Sequence, residues 1–471
     1  MPSTDPATPR LLVVGGGVTG LAAAWEAVRR GADVTVVEAG DRWGGKVWTE
    51  RVDGLVIDHG PDAFITYKKA ALDLVGELGL EGRLIEMAGA RDVQLRAGRR
   101  LLPIPAGMGM VLPTRVGPFL TTRTLAWSHK ARAALDLVLP RRLGSEDVAV
   151  GAFLRARLGD GVVDRFADPM VGGVYGSRVD ELSLDAALPM LRDSEARHRS
   201  MILASLAQGR AARRGGVTRG VGSPFRSLDA GLGVLVEALV EALSGAGADL
   251  RLGVAAGHLA SEGTRTVATL SDGTGRSYAG VVLATGSGPA AALLEGEVPA
   301  AAQALRGIPL ASTTVVHLAY AASAFPAAPT MQGWLESGDA PASAVTVSSV
   351  KWPGRAPDGV VLLRLLVPDK VGPAATLADA DLLAALTGYL AEVLGVQGEP
   401  MLHRVTRWHE VMPQYTVGHL RRVAALEEAL STHPRWRVAG AALRGVGLPD
   451  CIAGGRAAAA GVLEATADPA G

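Results

Sequence analysis

Near the start of the chain, "VVGGGVTGLAAAWEAVRRGADVTVVEAG" places Gly15, Gly17 and Gly20 in the spacing G-x-G-x-x-G. Each glycine has a separate task. Gly15 permits a tight turn, Gly17 lets the main chain approach a pyrophosphate, and Gly20 lets a helix lie close to a strand. Gly16, Val18 and Thr19 complete the loop, and the free amides at the start of the following helix face the phosphates. Glu38, at the end of the next apolar run and followed by Ala39, is placed to hydrogen-bond a ribose diol. Together these features predict a dinucleotide site.

The elements that hold this chemistry are legible around it. Leu11–Val14 reads as a buried parallel strand, and Leu21, Ala24, Trp25 and Val28 fall on one face of a helix. Gly31 stops the helix, and Val34, Val36 and Val37 form the second strand. Just downstream, Gly40, Gly45 and Lys46 fit most of the pattern G-x-x-x-x-G-K-[ST]. Val47 occupies the hydroxyl position and cannot bind magnesium, which excludes the nucleotide-triphosphatase reading.

A second glycine-rich stretch lies at the far end, "RWRVAGAALRGVGLPDCIAGGRAAAAGVL" at 435–463. It reads as a strand from Trp436 to Ala439, a turn carrying Gly445, Val446, Gly447 and Leu448, and a helix from Ile452 to Leu463. Pro449 and Asp450 suit the helix start, with the Asp450 carboxylate as N-cap. Two readings stand open for the stretch: a backbone surface for a cofactor, or tight helix packing. Cys451 reads as a small buried residue.

Composition narrows the function classes. The chain has 471 residues, 48% hydrophobic and 20% charged, as for a globular protein of two or three domains. It carries 47 basic and 47 acidic residues, and this balance removes the electrostatic footprint of a nucleic-acid binder. A basic cluster at 209–220 reads as a solvated loop or a landing site for anions. One cysteine cannot make an internal disulfide, and nine scattered histidines give no metal-ligand spacing. The N-terminus has no signal-peptide pattern, and the uncharged stretches 277–294 and 307–335 are interrupted by proline, so a cytoplasmic protein without transmembrane segments is expected. The apolar, proline-broken segment 101–122 reads as a core-packed loop or a surface for substrate or membrane.

Further motifs decide the cofactor by resemblance. "RWGGK", with Arg42, Gly44, Gly45 and Lys46, resembles the second signature of amine-oxidase-like flavoproteins, and this implies FAD. "DHGPDAF", with Gly60, Pro61, Asp62 and Ala63, resembles the segment that runs beside their flavin ring. "ADLRLGVAA" resembles the strand that sets an apolar residue, here Val254, beside the adenine. "GVYGSRVDELSLDAALPML", "RWHEVMPQYTVGHLRRV" and "LRGVGLPDCIAGGRAAA" are similar to the oxygen-dependent protoporphyrinogen/coproporphyrinogen oxidase family, from Arg10 to about Leu463.

That resemblance implies an α/β fold with α+β inserts. Its parts are a Rossmann-like FAD domain of the p-hydroxybenzoate hydroxylase type, a substrate domain with a mixed sheet, and a helical domain. Residues 1–66, 222–292 and 431–471 are expected to form the FAD domain, 67–221 a mostly helical insert with part of the substrate site, and 293–430 the substrate domain. It further implies Trp408 close to the flavin and the turn 445–448 at its pyrimidine end. The implied reaction is oxidation of a porphyrinogen to a porphyrin in three two-electron steps, with O2 as acceptor and H2O2 as product. Coproporphyrinogen III is the favoured substrate and protoporphyrinogen IX the alternative. Amine oxidases, carotenoid desaturases and a non-catalytic flavin-binding protein of the haem pathway are the remaining readings. Lys68 is the first candidate to meet a substrate propionate, with Arg178 and Arg197 behind it; a solvated surface lysine is the competing reading. Contacts with a ferrochelatase, and peripherally with a membrane, are further expectations.

Overall fold

The computed structural model describes residues 8–467 except 90, 91, 110, 114, 173, 174, 215–222, 337, 339 and 370–372. The fold class is α/β. Five parallel strands form one sheet in the order Asp249–Leu252, Asp33–Glu38, Arg10–Val14, Gly280–Leu283, Trp436–Val438. Leu11 and Val13 face one side and Leu12 and Val14 the other, and all four are buried, because helices and a small sheet cover both faces. Pro299–Arg306 and His419–Ala429 pack into this layer through Leu305 and Leu426, so packing draws chain from the 293–430 segment toward the five-stranded sheet.

The first helix, Val18–Arg29, differs from the amphipathic reading. Leu21, Ala22, Ala23, Ala24 and Ala27 are all fully buried, while Trp25 and Val28 remain partly exposed. The helix is wedged between the sheet, the Gly233–Gly245 helix and the last helix, Leu448–Ala467. A Cβ on Gly455 would lie 2.1 Å from the Thr19 carbonyl oxygen, so the small residues of the last helix let the two helices cross closely. That helix also begins earlier than expected, at Leu448 rather than Ile452. Asp450 therefore lies inside the first turn, and its carboxylate is ion-paired with Lys68 instead of capping the helix.

A second sheet has seven strands in the order Leu402–Pro413, Leu310–Ala321, Val360–Pro368, Ala344–Val347, Gly333–Leu335, Val93–Ala97, Arg100–Pro103. The last two come from the 67–221 segment, whose helices otherwise enclose a separate core that includes Phe153, Leu154, Phe166 and Leu184. The segment 101–122 is divided: Met108, Val111 and Phe119 join that core, while Val116 and Leu120 face solvent. Residues 215–220 of the basic cluster and 173–174 of the first family block lie outside the described residues. Among the described residues, no helix is long and apolar enough to cross a membrane.

Candidate cofactor and substrate site

The glycine turns at 15–20 and 44–45 meet. The Gly44 amide donates to the Gly16 carbonyl at 2.8 Å, and Gly17 and Gly44 form an isolated bridge. Gly15 adopts φ +110°, and a Cβ there would lie 2.8 Å from the Ala284 carbonyl. Gly17 is different: a Cβ there would meet only the Gly45 Cα, at 3.9 Å, so its face is open. The helix starts on Gly17 with no side-chain cap and no acid in its first turn, which leaves the amides around Val18, Thr19 and Gly20 to an outside anion. Trp43 lies against Gly16, where a Cβ would be 2.4 Å from the indole, a constraint the motif does not reveal.

Glu38 closes the same corner. Its Oε2 accepts from the Gly16 amide at 2.7 Å and its Oε1 from the Gly40 amide at 2.8 Å. These bonds orient the carboxylate and leave each oxygen a further lone pair. Ala39 is exposed beyond it, and the Val254 amide donates to the Glu38 carbonyl at 2.8 Å, so Val254 stands beside this acid.

The segment 58–62 is held by two strands of the seven-stranded sheet. The Arg364 guanidinium donates to the Gly60 carbonyl at 2.8 Å, and the Trp408 indole to the His59 carbonyl at 3.0 Å. Gly60 has no room for a side chain, since a Cβ would lie 1.8 Å from the Lys46 carbonyl. The Asp62 carboxylate accepts from Lys351 at 2.7 Å and from Trp352 at 2.9 Å, with Pro61 and Ala63 half-buried beside it. Although burial opposes ionisation of Asp62, Lys351 and Arg364 hold its carboxyl well below the usual carboxylate range. Lys46 is half-buried and donates to the Val411 carbonyl at 2.8 Å.

At the other end, the Tyr415 hydroxyl donates to the Ala441 carbonyl at 2.7 Å and accepts from the Gly445 amide at 2.6 Å, stapling the 441–445 turn. His419 stacks on Tyr415 at 3.9 Å and bonds the Leu443 carbonyl through Nε2 at 2.8 Å. Gly445, at φ +132°, lies over Asp450, with Val446 and Gly447 half-buried and Leu448 buried. Lys68, which the sequence offers to a propionate, lies 2.6 Å from Asp450 Oδ1. Arg178 is exposed, and Arg197 sits in an exposed pair with Asp193. Tyr175 stands near Asp450 and Tyr67, and burial pushes its hydroxyl up to about 12.

Several of these residues escape motif reading. Arg364 and His317 are polar residues inside the apolar runs "GVVLLRLLV" and "TTVVHLAY", and that interruption is the signal that could have found them. Register pairs His317 with Arg364 and Arg364 with Thr346 on one sheet face. The segment 58–62 covers one end of this face, and the helical insert covers the other through Leu95 and Leu335. Thr346, Leu366 and Ala344 are half-buried between the two covers.

His317 and His59 give the site an acid limit. Burial first, then Arg364 and His59, push His317 well below its ordinary value. Burial also lowers His59, against the opposing pull of Glu50. An unfolded imidazole titrates at about 6.5, so stability from the two neutral rings is present above that pH and is lost as pH falls through their lower folded values. Thermal melting should hold level from pH 8 to about 7 and decline below about 6.5, and His317→Gln should flatten the decline. An unchanged slope in the variant would count against this origin.

A paired-glycine cradle with open space over Gly17, an uncapped helix terminus, and a buried, unpartnered Arg42 Nη1 fit a dinucleotide with a diphosphate. Fold and site define a flavoprotein oxidoreductase: the chain belongs to the flavin-containing amine oxidoreductase family, whose model matches residues 18–463. FAD is its cofactor. Among its relatives is a coproporphyrinogen III oxidase of Propionibacterium freudenreichii subsp. freudenreichii, 52% identical over 98% of this chain and 92% of that protein. The coproporphyrinogen III oxidase of Bacillus subtilis is 36% identical over 96% of this chain and 97% of its own length. A crystal structure from Exiguobacterium sp. 255-15 superposes with a TM-score of 0.85 at 30% identity, covering 97% of this chain and 99% of that one.

Proposed function

We propose that this chain oxidises coproporphyrinogen III to coproporphyrin III in haem biosynthesis, consuming three O2 and releasing three H2O2 per porphyrin. The observation that carries this reading is the 52% identity, over nearly the full length of both chains, to the Propionibacterium coproporphyrinogen III oxidase. FAD, when bound, supplies the hydride acceptor and the two-electron store.

In this reading the chain's residues bind and orient. The Gly15–Gly20 turn, with Gly16, Val18 and Thr19, receives the phosphates together with Arg42, Gly44, Gly45 and Lys46. Glu38 and Ala39 receive the ribose, and Val254 the adenine. Gly60, Pro61, Asp62, Ala63 and Trp408 flank the ring, and Gly445, Val446, Gly447 and Leu448 its pyrimidine end. The half-buried sheet face at Ala344, Thr346 and Leu366 offers the wall for a flat tetrapyrrole. Asp62 is tied to Lys351 and Glu50 to Arg404, so neither of these carboxylates serves as a free base.

Lys68 exchanges its Asp450 partner for a substrate propionate. Lys68→Met should then raise KM for coproporphyrinogen III about tenfold, the size of a charge-assisted hydrogen bond, with a smaller change in kcat. An unchanged KM would leave Lys68 as a surface pair. The proposed location is the cytoplasm. Transient contact with a ferrochelatase, and peripheral contact with a membrane through the exposed Val116, Leu120 and Trp127, fit the surface of the helical insert.

Porphyrin fluorescence over time tests the reading, with purified protein in air, either coproporphyrinogen III or protoporphyrinogen IX, and a no-enzyme control. Much faster coproporphyrin formation supports it. Preference for protoporphyrinogen IX moves the chain to the protoporphyrin route, and no product above control removes the activity.

A further inference from the structure

The Arg42 guanidinium is the least satisfied cation in the cofactor loops. Its Nη1 is buried without a hydrogen-bond partner, and desolvation lowers its pKa from the ordinary value. Asp41 and Glu38 act on it only through space, and both Glu38 oxygens already accept backbone amides. The guanidinium lies over two indoles, 4.7 Å from the Trp48 ring centre and 5.8 Å from that of Trp408.

Trp48 is itself braced. It stacks on the His59 imidazole at 3.8 Å, with an interplanar angle of 18°. His59 is fixed at both nitrogens, to Thr406 Oγ1 at 2.7 Å and to Glu50 Oε2 at 3.1 Å. Glu50 in turn is held by two nitrogens of Arg404, at 2.8 and 3.0 Å. A continuous column therefore runs Arg404–Glu50–His59–Trp48–Arg42, from the Leu402–Pro413 strand of the seven-stranded sheet to the second glycine turn.

A half-buried guanidinium with one buried, unpaired nitrogen calls for an anion, and its planar fork matches phosphate. The diphosphate is the one anionic group of FAD. We propose that Trp48, braced through His59, Glu50 and Arg404, is the positioning residue that aims Arg42 at this diphosphate, so that the strength of cofactor binding is set from the seven-stranded sheet. This rests on the FAD reading of the site. No dedicated partner on the five-stranded sheet holds Arg42 Nη1 among the described residues, and the aromatic column supplies the missing support. Arg42 is then poised before the cofactor arrives, and little side-chain freedom is lost on binding.

The test is titration of FAD into apoprotein, followed by quenching of flavin fluorescence, at several salt concentrations. The proteins are wild type, Arg42→Met, Trp48→Leu, Trp48→Phe and the Arg42→Met/Trp48→Leu double variant. Trp48→Leu should weaken FAD binding about tenfold, and Trp48→Phe, which keeps a smaller ring, about threefold. The double variant should bind no more weakly than Arg42→Met alone. Both Arg42→Met and Trp48→Leu should also reduce the salt dependence of FAD affinity, since the contact they disturb is the ionic one.

A purely structural Trp48 would not move the salt dependence. Multiplicative losses in the double variant, or an unchanged salt slope in Trp48→Leu, would overturn the proposal. Where Trp48→Leu does not fold, Trp48→Phe gives the same comparison on a smaller scale. Failure of the wild-type protein to bind FAD would instead overturn the cofactor reading beneath it.

Discussion

Gly20→Ala should purify without flavin and with lowered thermal stability, whereas Gly17→Ala should lose flavin yet melt as apoprotein like the wild type. The two glycines stand in one motif but meet different neighbours. A Cβ on Gly20 would lie 1.9 Å from the Gly15 carbonyl oxygen, and that oxygen cannot retreat. Gly15 adopts φ +110°, and its amide is bonded to the Val37 carbonyl at 2.8 Å. The helix must therefore move outward and carry the uncapped amides with it. Overpacking of this kind costs about 1–3 kcal/mol, or roughly one to two orders of magnitude in FAD affinity.

Gly17, by contrast, has φ −71° and open space above it, so alanine is compatible with the fold. The added methyl group would occupy the ground that a diphosphate needs. Flavin-to-protein absorbance ratios after purification, paired with melting of the apoproteins, separate the two effects. Equal melting of both variants would show that the crowding at Gly20 is relieved locally.

The second large effect lies away from the cofactor. Asp136 and Arg157 are both fully buried in the helical insert and paired at 2.6 Å. Asp136 also accepts from the Ser200 hydroxyl at 2.6 Å and the Ile202 amide at 2.9 Å, and Arg157 donates to the Pro140 carbonyl at 2.6 Å. Asp136→Ala removes the shorter of the two buried carboxylate partners of Arg157, leaving Glu195 at 3.5 Å, and should cost about 3 kcal/mol. Replacing Asp136, Arg157 and the buried Glu195 together with apolar residues should cost much less, because no charge of the cluster is then left unpaired. Urea unfolding with limited proteolysis of the insert measures both. A combined variant as unstable as the single would show that the cluster's hydrogen bonds to the backbone, rather than the lost charge pairing, carry the stability.

Legibility in the sequence follows the range of the interactions. The Arg10–Glu38 unit was readable because its strand, turn, helix and terminal acid are neighbours in the chain and each obeys local rules. The last helix was readable as a helix but misplaced at its start, because Leu448 and Pro449 are drawn into the core and add a turn that capping rules do not anticipate. Its glycine-alanine run bears out the tight-packing reading, since Gly455 permits the crossing with the first helix, while the turn glycines shape the 440–447 loop.

The sequence by itself determined the dinucleotide site, the flavoprotein resemblance and the balance of charge, since these rest on residue type and short spacing. Tertiary structure alone decided that Lys68 meets Asp450, that Arg364 reaches the Gly60 carbonyl, and that Trp48, His59, Glu50 and Arg404 stand in one column behind Arg42. Each of these contacts joins residues that are adjacent only after the sheets have packed, and no local propensity encodes which buried charge will find which partner.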